Sequence, residues 1–222
     1  MKISFKKNNF YFLLGGLLFL LITIPIAKDL YGTTQRFIGQ LAFSTTLVFS
    51  VLGLAKSIKW QIIGLLLVLL GFIASYLFVV TTNPTLVYIA LVCDLLFLML
   101  IICFAIKQVI CSEAINLHNI FGAICIYILL GIIWSVLYLL TYMLIPGSFS
   151  GIQEAEQQIQ LHDFLYFSFV TLTTLGYGDL LPLSATAKTL AFIEAIFGQF
   201  YMATLVAGLV AMHISSHAKD KE

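Results

Sequence analysis

Six almost unbroken apolar stretches limit what this chain can fold into more than any other feature: Tyr11–Ala27, Phe37–Ala55, Trp60–Val80, Leu86–Ile106, Ile120–Ile145 and Lys188–Ile214. A helix needs about 20 mainly apolar residues to cross the hydrocarbon of a bilayer. Each stretch is of that order, and short connections at Lys28–Arg36, Lys56–Lys59, Thr81–Thr85 and Lys107–Asn119 separate the first five. Charged residues make up 9% of the chain and hydrophobic ones 61%, whereas soluble domains carry roughly 25% charged residues. The expected fold is an all-α membrane protein with six transmembrane helices. The first stretch has 17 residues and follows Lys2, Lys6 and Lys7. It exceeds the core of about 7–15 residues typical of a signal peptide, so it is expected to remain as a helix.

The same numbers exclude several function classes. A net charge of +1 gives no basic surface for nucleic acid, and no phosphate-loop or dinucleotide pattern is present. Cys93, Cys103, Cys111 and Cys125 lack metal-ligand spacing and read as free thiols. Paired metal ligands and nucleophile–base arrangements are missing at membrane depth, so neither an enzyme nor a cofactor is expected.

A seventh apolar stretch, Asp163–Thr173, is too short to cross and runs straight into Thr171-Leu172-Thr173-Thr174-Leu175-Gly176-Tyr177-Gly178-Asp179. Non-spanning backbone is tolerated at membrane depth only where protein or water surrounds it, so this stretch reads as a re-entrant helix. Gly176 and Gly178 suit backbone angles that an L side chain resists. They would let successive carbonyls face one axis, as needed to replace the water shell of an ion.

The segment Thr174–Gly178 is similar to the signature strand of potassium-channel selectivity filters, with Leu175 where Val is usual. The stretch Ile120–His217 resembles the two-helix pore module of that superfamily, and Asp163–Asp179 resembles its prokaryotic ion-channel pore family. The resemblance implies that Thr174, Leu175, Gly176 and Tyr177 coordinate K+, with Gly178 and Asp179 shaping the outer mouth and Tyr177 bracing the strand. It implies a homotetramer, because one strand cannot encircle an ion. Gly198, twenty residues beyond Gly178, resembles the family's gating hinge. Some relatives carry a glutamate at the position of Val170, bonded to the filter aspartate; here that link cannot form.

Along the last stretch Gln199, Met202, Val206 and Val210 recur at helical spacing, as cavity and inner-gate lining or as contacts between helices. Glu154, Glu156, Asp163 and Asp179 precede the next basic residue, Lys188; four copies would make either a cation-concentrating ring or an ordinary solvated loop. With the N-terminus inside, Lys2, Lys6, Lys7, Lys56, Lys59, Lys107, Lys219 and Lys221 are cytoplasmic, against Lys28, Arg36 and Lys188 outside. This asymmetry predicts a multi-pass plasma-membrane protein with both termini cytoplasmic.

Residues 1–107 form a four-helix half resembling a voltage sensor, 108–119 a linker, 120–217 the pore domain and 218–222 a short tail. Leu86–Ile106 holds no Arg or Lys, and moving one charge through the field is worth about 2.3 kcal/mol per 100 mV. Steep voltage dependence is therefore not expected. Intramembrane Asp94 is a proton-sensing candidate or a protonated structural group. Glu194 either braces the pore helix or sits protonated in a helix contact. His213 and His217, one turn apart, form a pH-sensitive collar or are solvated helix-end residues. The expected function is passive, potassium-selective conduction in the bilayer. The alternatives are a sensory protein with a non-conducting pore, or the pore subunit of a potassium transporter.

Overall fold

The computed structural model describes residues 9–28, 43–46, 48, 58–81, 83–110, 117–152 and 161–219. Six labelled helices carry the chain: α1 (Asn9–Lys28), α2 (Ile58–Thr81), α3 (Pro84–Ile110), α4 (Leu117–Leu144), α5 (Leu161–Leu172) and α6 (Ala185–Lys219). Residues 43–46 and 48 are also helical, and the rest of the expected second span lies outside the described residues. Among the described residues three helices are long and apolar enough to cross a membrane, over Ile58–Phe78, Pro84–Val109 and Asn119–Leu144. Phe10–Ile26 and Leu161–Leu172 form shorter apolar helices. The helices α3 and α4 extend to Ile110 and begin at Leu117, so the expected linker 108–119 is helical at both ends.

The helix ends are set by local chemistry. Asn83 caps α3, its Oδ1 accepting from the Thr85 amide at 3.1 Å, while Pro84 occupies the first helical position where a missing N–H costs nothing. Ser184 caps α6 in the same way, its hydroxyl oxygen accepting from the Ala187 amide at 3.1 Å.

Packing centres on α4, which touches α1, α3, α5 and α6, while α2 lies against α3. Small residues let the helices approach closely, as expected without a hydrophobic drive between them in lipid. A Cβ on Gly131 would sit 2.7 Å from the Phe169 ring, and one on Gly122 2.9 Å from that of Phe10. Beyond α4 the chain makes a two-stranded antiparallel ribbon, β1 (Phe149–Ser150) against β2 (Leu181–Pro182). The Ser148 carbonyl accepts from the Leu183 amide at 2.8 Å. The ends of α4 and of the segment after α5 are thereby tied together.

Between ribbon and helices sits an aromatic block. Phe149 meets Phe164, Phe167 and Tyr138 edge-on, with ring centroids 5.2, 5.6 and 5.7 Å apart. Tyr138 meets Phe167 at 4.9 Å and 73°. Edge-to-face pairs of this kind contribute about 0.5–1.5 kcal/mol each beyond area burial. They fix α5 against α4 from behind.

Candidate functional site

The segment after α5 folds back on the helix that precedes it. The amides of Thr173 and Thr174 donate to the carbonyls of Phe169 and Thr171 at 3.0 and 2.9 Å. Those of Leu175 and Gly176 both donate to Val170, at 2.9 and 3.3 Å. A helix normally leaves its last four carbonyls without partners. Here the following strand satisfies three of them, and Leu172 accepts from the Tyr127 hydroxyl at 3.3 Å.

Backbone angles decide where the strand's own oxygens point. Thr174, Gly176 and Gly178 have φ of 58°, 57° and 79°, whereas Leu175 and Tyr177 do not adopt positive φ. In a regular strand successive carbonyls alternate sides. Alternating left- and right-handed residues instead turns successive carbonyls toward one side. Glycine takes the left-handed region without penalty; for β-branched Thr174 it is an outlier costing about 1–3 kcal/mol. The sequence pointed to the two glycines but gave no sign of the third position. The Gln199 amide nitrogen on α6 reaches the Thr174 hydroxyl oxygen at 3.2 Å and helps hold that strained residue.

Asp179, at the far end of the strand, is held from two sides. The Tyr166 hydroxyl donates to Oδ2 at 2.7 Å, and the Leu180 amide donates to Oδ1 at 3.0 Å. The Tyr166 hydrogen bond, above all, lowers the Asp179 carboxyl from its ordinary value. The aspartate absent from a bond to Val170 is thus anchored one helical turn earlier. Its anchor, Tyr166, is a functional residue that the sequence reading missed; a phenol in an otherwise apolar short helix was the available signal. The Tyr177 ring stacks beside it, centroids 6.5 Å apart and nearly parallel at 7°. At the start of α5, His162 Nδ1 and Asp163 Oδ1 are 3.0 Å apart.

Gly198 is explained by packing. A Cβ there would fall on the Leu172 carbonyl oxygen and lie 3.1 Å from its carbon, so a side chain is excluded where α6 crosses the end of α5. The helix runs through this position without interruption. Met202 lies exposed one turn beyond Gln199 on α6. The side chains of Val206, Val210, His213 and His217 lie outside the described residues, as do Glu154, Glu156 and Cys111.

The two carboxyl groups expected at membrane depth differ in their surroundings. Asp94 is buried on α3 opposite α2, where Gly71 makes room: a Cβ on Gly71 would sit 3.1 Å from Oδ1. Glu194 is fully buried on α6 and contacts Tyr138 of α4 and Ser168 of α5. Among the described residues no group of three or more His, Cys, Asp or Glu is placed to hold a metal ion.

Residues 123–214 match the family described as "Ion channel". This covers less than half of the 222 residues but includes the strand, α5 and most of α4 and α6. Two curated plant proteins are similar over the same scale. "Two pore potassium channel c" of Oryza sativa subsp. japonica is 34% identical over 70 residues, 32% of this chain and 15% of that protein. "Two-pore potassium channel 5" of Arabidopsis thaliana is 34% identical over 80 residues, 34% of this chain and 20% of that protein. The chain therefore spans a fifth or less of the length of these relatives. The matched domain includes one of the helices that are long and apolar enough to cross a membrane, in keeping with a membrane-embedded protein.

Proposed function

We propose that the chain is the subunit of a homotetrameric, potassium-selective channel that conducts K+ passively, without steep voltage dependence. One observation carries the reading: positive φ at Thr174, Gly176 and Gly178, with the amides of Thr174–Gly176 turned onto α5. A strand so built offers oxygen without competing N–H groups along one side. Rings of such oxygens replace the hydration shell of K+ in a selectivity filter. Each subunit contributes one strand, so closed fourfold symmetry completes the rings.

The isolated chain leaves the surfaces such an assembly would cover: Leu175 is 55% and Tyr177 67% exposed, and both Gln199 and Met202 are exposed on the same part of α6. In this reading the carbonyls of Thr174, Leu175, Gly176 and Tyr177 and the Thr174 hydroxyl bind K+. Gln199 and Met202 face the cavity below, and Asp179 sits at the outer mouth. The distribution of lysines supports cytoplasmic termini in a plasma membrane.

The test is purified full-length protein in planar bilayers under opposed potassium and sodium gradients. A reversal potential following the potassium gradient is expected. One that follows sodium equally would overturn the selectivity, and a chain that stays monomeric while conducting would overturn the assembly.

A further inference from the structure

Glu194 sits where α4, α5 and α6 meet, and it and both side-chain partners are fully buried. Its Oε2 accepts from the Tyr138 hydroxyl, and its Oε1 is within hydrogen-bonding distance of the Ser168 hydroxyl oxygen. That same Ser168 oxygen lies 2.8 Å from the carbonyl oxygen of Gly131. A serine hydroxyl owns a single proton. It cannot donate to Gly131 and to Glu194 together.

Counting protons decides the charge state. With Glu194 ionised, two hydroxyl protons must serve three oxygen–oxygen contacts, and one contact is left as acceptor against acceptor. With Glu194 protonated on Oε1, it donates to Ser168, Ser168 donates to Gly131, and Tyr138 donates to Oε2. Every contact then has one proton. Burial points the same way, since an ionised carboxylate at a dry helix junction needs a compensating charge. The titratable groups that face Glu194 are Tyr138 and Tyr127, both phenols on α4. The face of α5 turned toward it offers the Ser168 hydroxyl, and the His162–Asp163 pair lies at the far start of that helix.

We propose that Glu194 is a proton-binding site behind the filter: a neutral carboxylic acid whose proton completes the Glu194–Ser168–Gly131 chain and positions α5. Ser168 lies two residues before Val170, whose carbonyl receives the Leu175 and Gly176 amides. The proton therefore acts on the oxygen-bearing strand through one short helix. Loss of that proton leaves Ser168 unable to satisfy both neighbours, so α5 loses either its tie to α4 or its tie to α6. Glu194 is a positioning residue and touches no permeant ion.

The test uses reconstituted full-length protein, and its conduction arm rests on the channel reading whereas its spectroscopic arm does not. Infrared spectra at neutral pH should show a protonated-carboxyl C=O band that Glu194→Gln removes and that survives in Asp94→Asn, which eliminates the other carboxyl group buried among the described residues. The glutamine amide can accept from Tyr138 and donate to Ser168, so potassium flux should stay within roughly twofold of the parent at neutral pH. The parent should lose flux as pH rises on the alkaline side, and Glu194→Gln should not. Glu194→Ala leaves the buried Tyr138 hydroxyl without its acceptor and should lose flux about tenfold or more. A band indifferent to Glu194→Gln, or identical alkaline profiles in parent and glutamine variant, overturns the proposal. Absence of flux in every variant with the band assignment intact refutes the channel reading and leaves the proton site standing.

Discussion

Replacing Gly198 by alanine separates two explanations of that glycine. A hinge needs a flexible residue; a crossing point needs one without a side chain. The added Cβ would overlap the Leu172 carbonyl oxygen and approach its carbon to 3.1 Å and its Cδ1 to 3.2 Å. Ordinary contact begins near 3.5 Å, and the obstruction is main chain at the end of a helix that already holds the Thr174–Gly176 amides. The side-chain atom can rotate away, but the carbonyl can move only with α5. Relief requires a shift of α6 of roughly 1 Å, and overpacking on this scale costs about 1–3 kcal/mol. Alanine gains up to about 1 kcal/mol over glycine in helix propensity, which does not offset a main-chain clash. The expected net loss is up to about 2 kcal/mol per subunit, so a tetramer would lose up to several kcal/mol. Gly15→Ala is the control, because, its own helix backbone aside, no atom among the described residues lies within 4 Å of a Cβ built there. Thermal unfolding and assembly in detergent would be compared for both variants. The reasoning is refuted if Gly198→Ala is as stable as the parent and only its opening is slowed.

Other consequences can be measured in the same preparations. Tyr166→Phe removes the donor that lowers the Asp179 carboxyl. A lowered carboxylate contributes its stabilisation fully above the ordinary aspartate value near pH 4 and loses it as external pH falls through the folded value. The variant should therefore lose flux at a higher external pH than the parent, and coincident acid profiles would contradict the assignment. Phe149→Ala empties the centre of the aromatic block and should cost about 3–5 kcal/mol, read as a drop in unfolding temperature; an unchanged midpoint would show that α5 is held by other contacts. Open probability measured over a wide voltage range should vary shallowly, and steep activation equivalent to several charges would mean that charges outside Leu86–Ile106 cross the field.

The strand was legible in the sequence because the whole nonapeptide Thr171–Asp179 stands between a short apolar helix and a long apolar stretch; two glycines spaced by one residue recur by chance and would not have sufficed. The short helix was legible too. It was expected over Asp163–Thr173 and observed over Leu161–Leu172, since its length rules out a crossing and its composition rules out a solvated loop. What could not be read is which side of each long helix faces which neighbour. A helix apolar all round gives no periodic stripe to assign. The link from Tyr166 to Asp179 depends on the strand folding back along the helix, and the junction at Glu194 depends on three helices converging. Gly198 shows the same limit, because spacing from Gly178 suggested a hinge while the reason visible in the fold is the Leu172 carbonyl.

The handedness pattern at Thr174, Gly176 and Gly178 also bears on aggregation. An extended hydrophobic segment lying open on an unassembled polypeptide is ordinarily a hazard, since unpaired donors and acceptors invite a second chain to add itself as a strand. A β-ladder needs both kinds of group alternating along one border. This segment has spent its first amides internally and shows a border of acceptors, which another backbone cannot zip onto. On the proposed tetramer reading, a newly made chain would therefore carry this segment uncovered without templating a ladder before assembly.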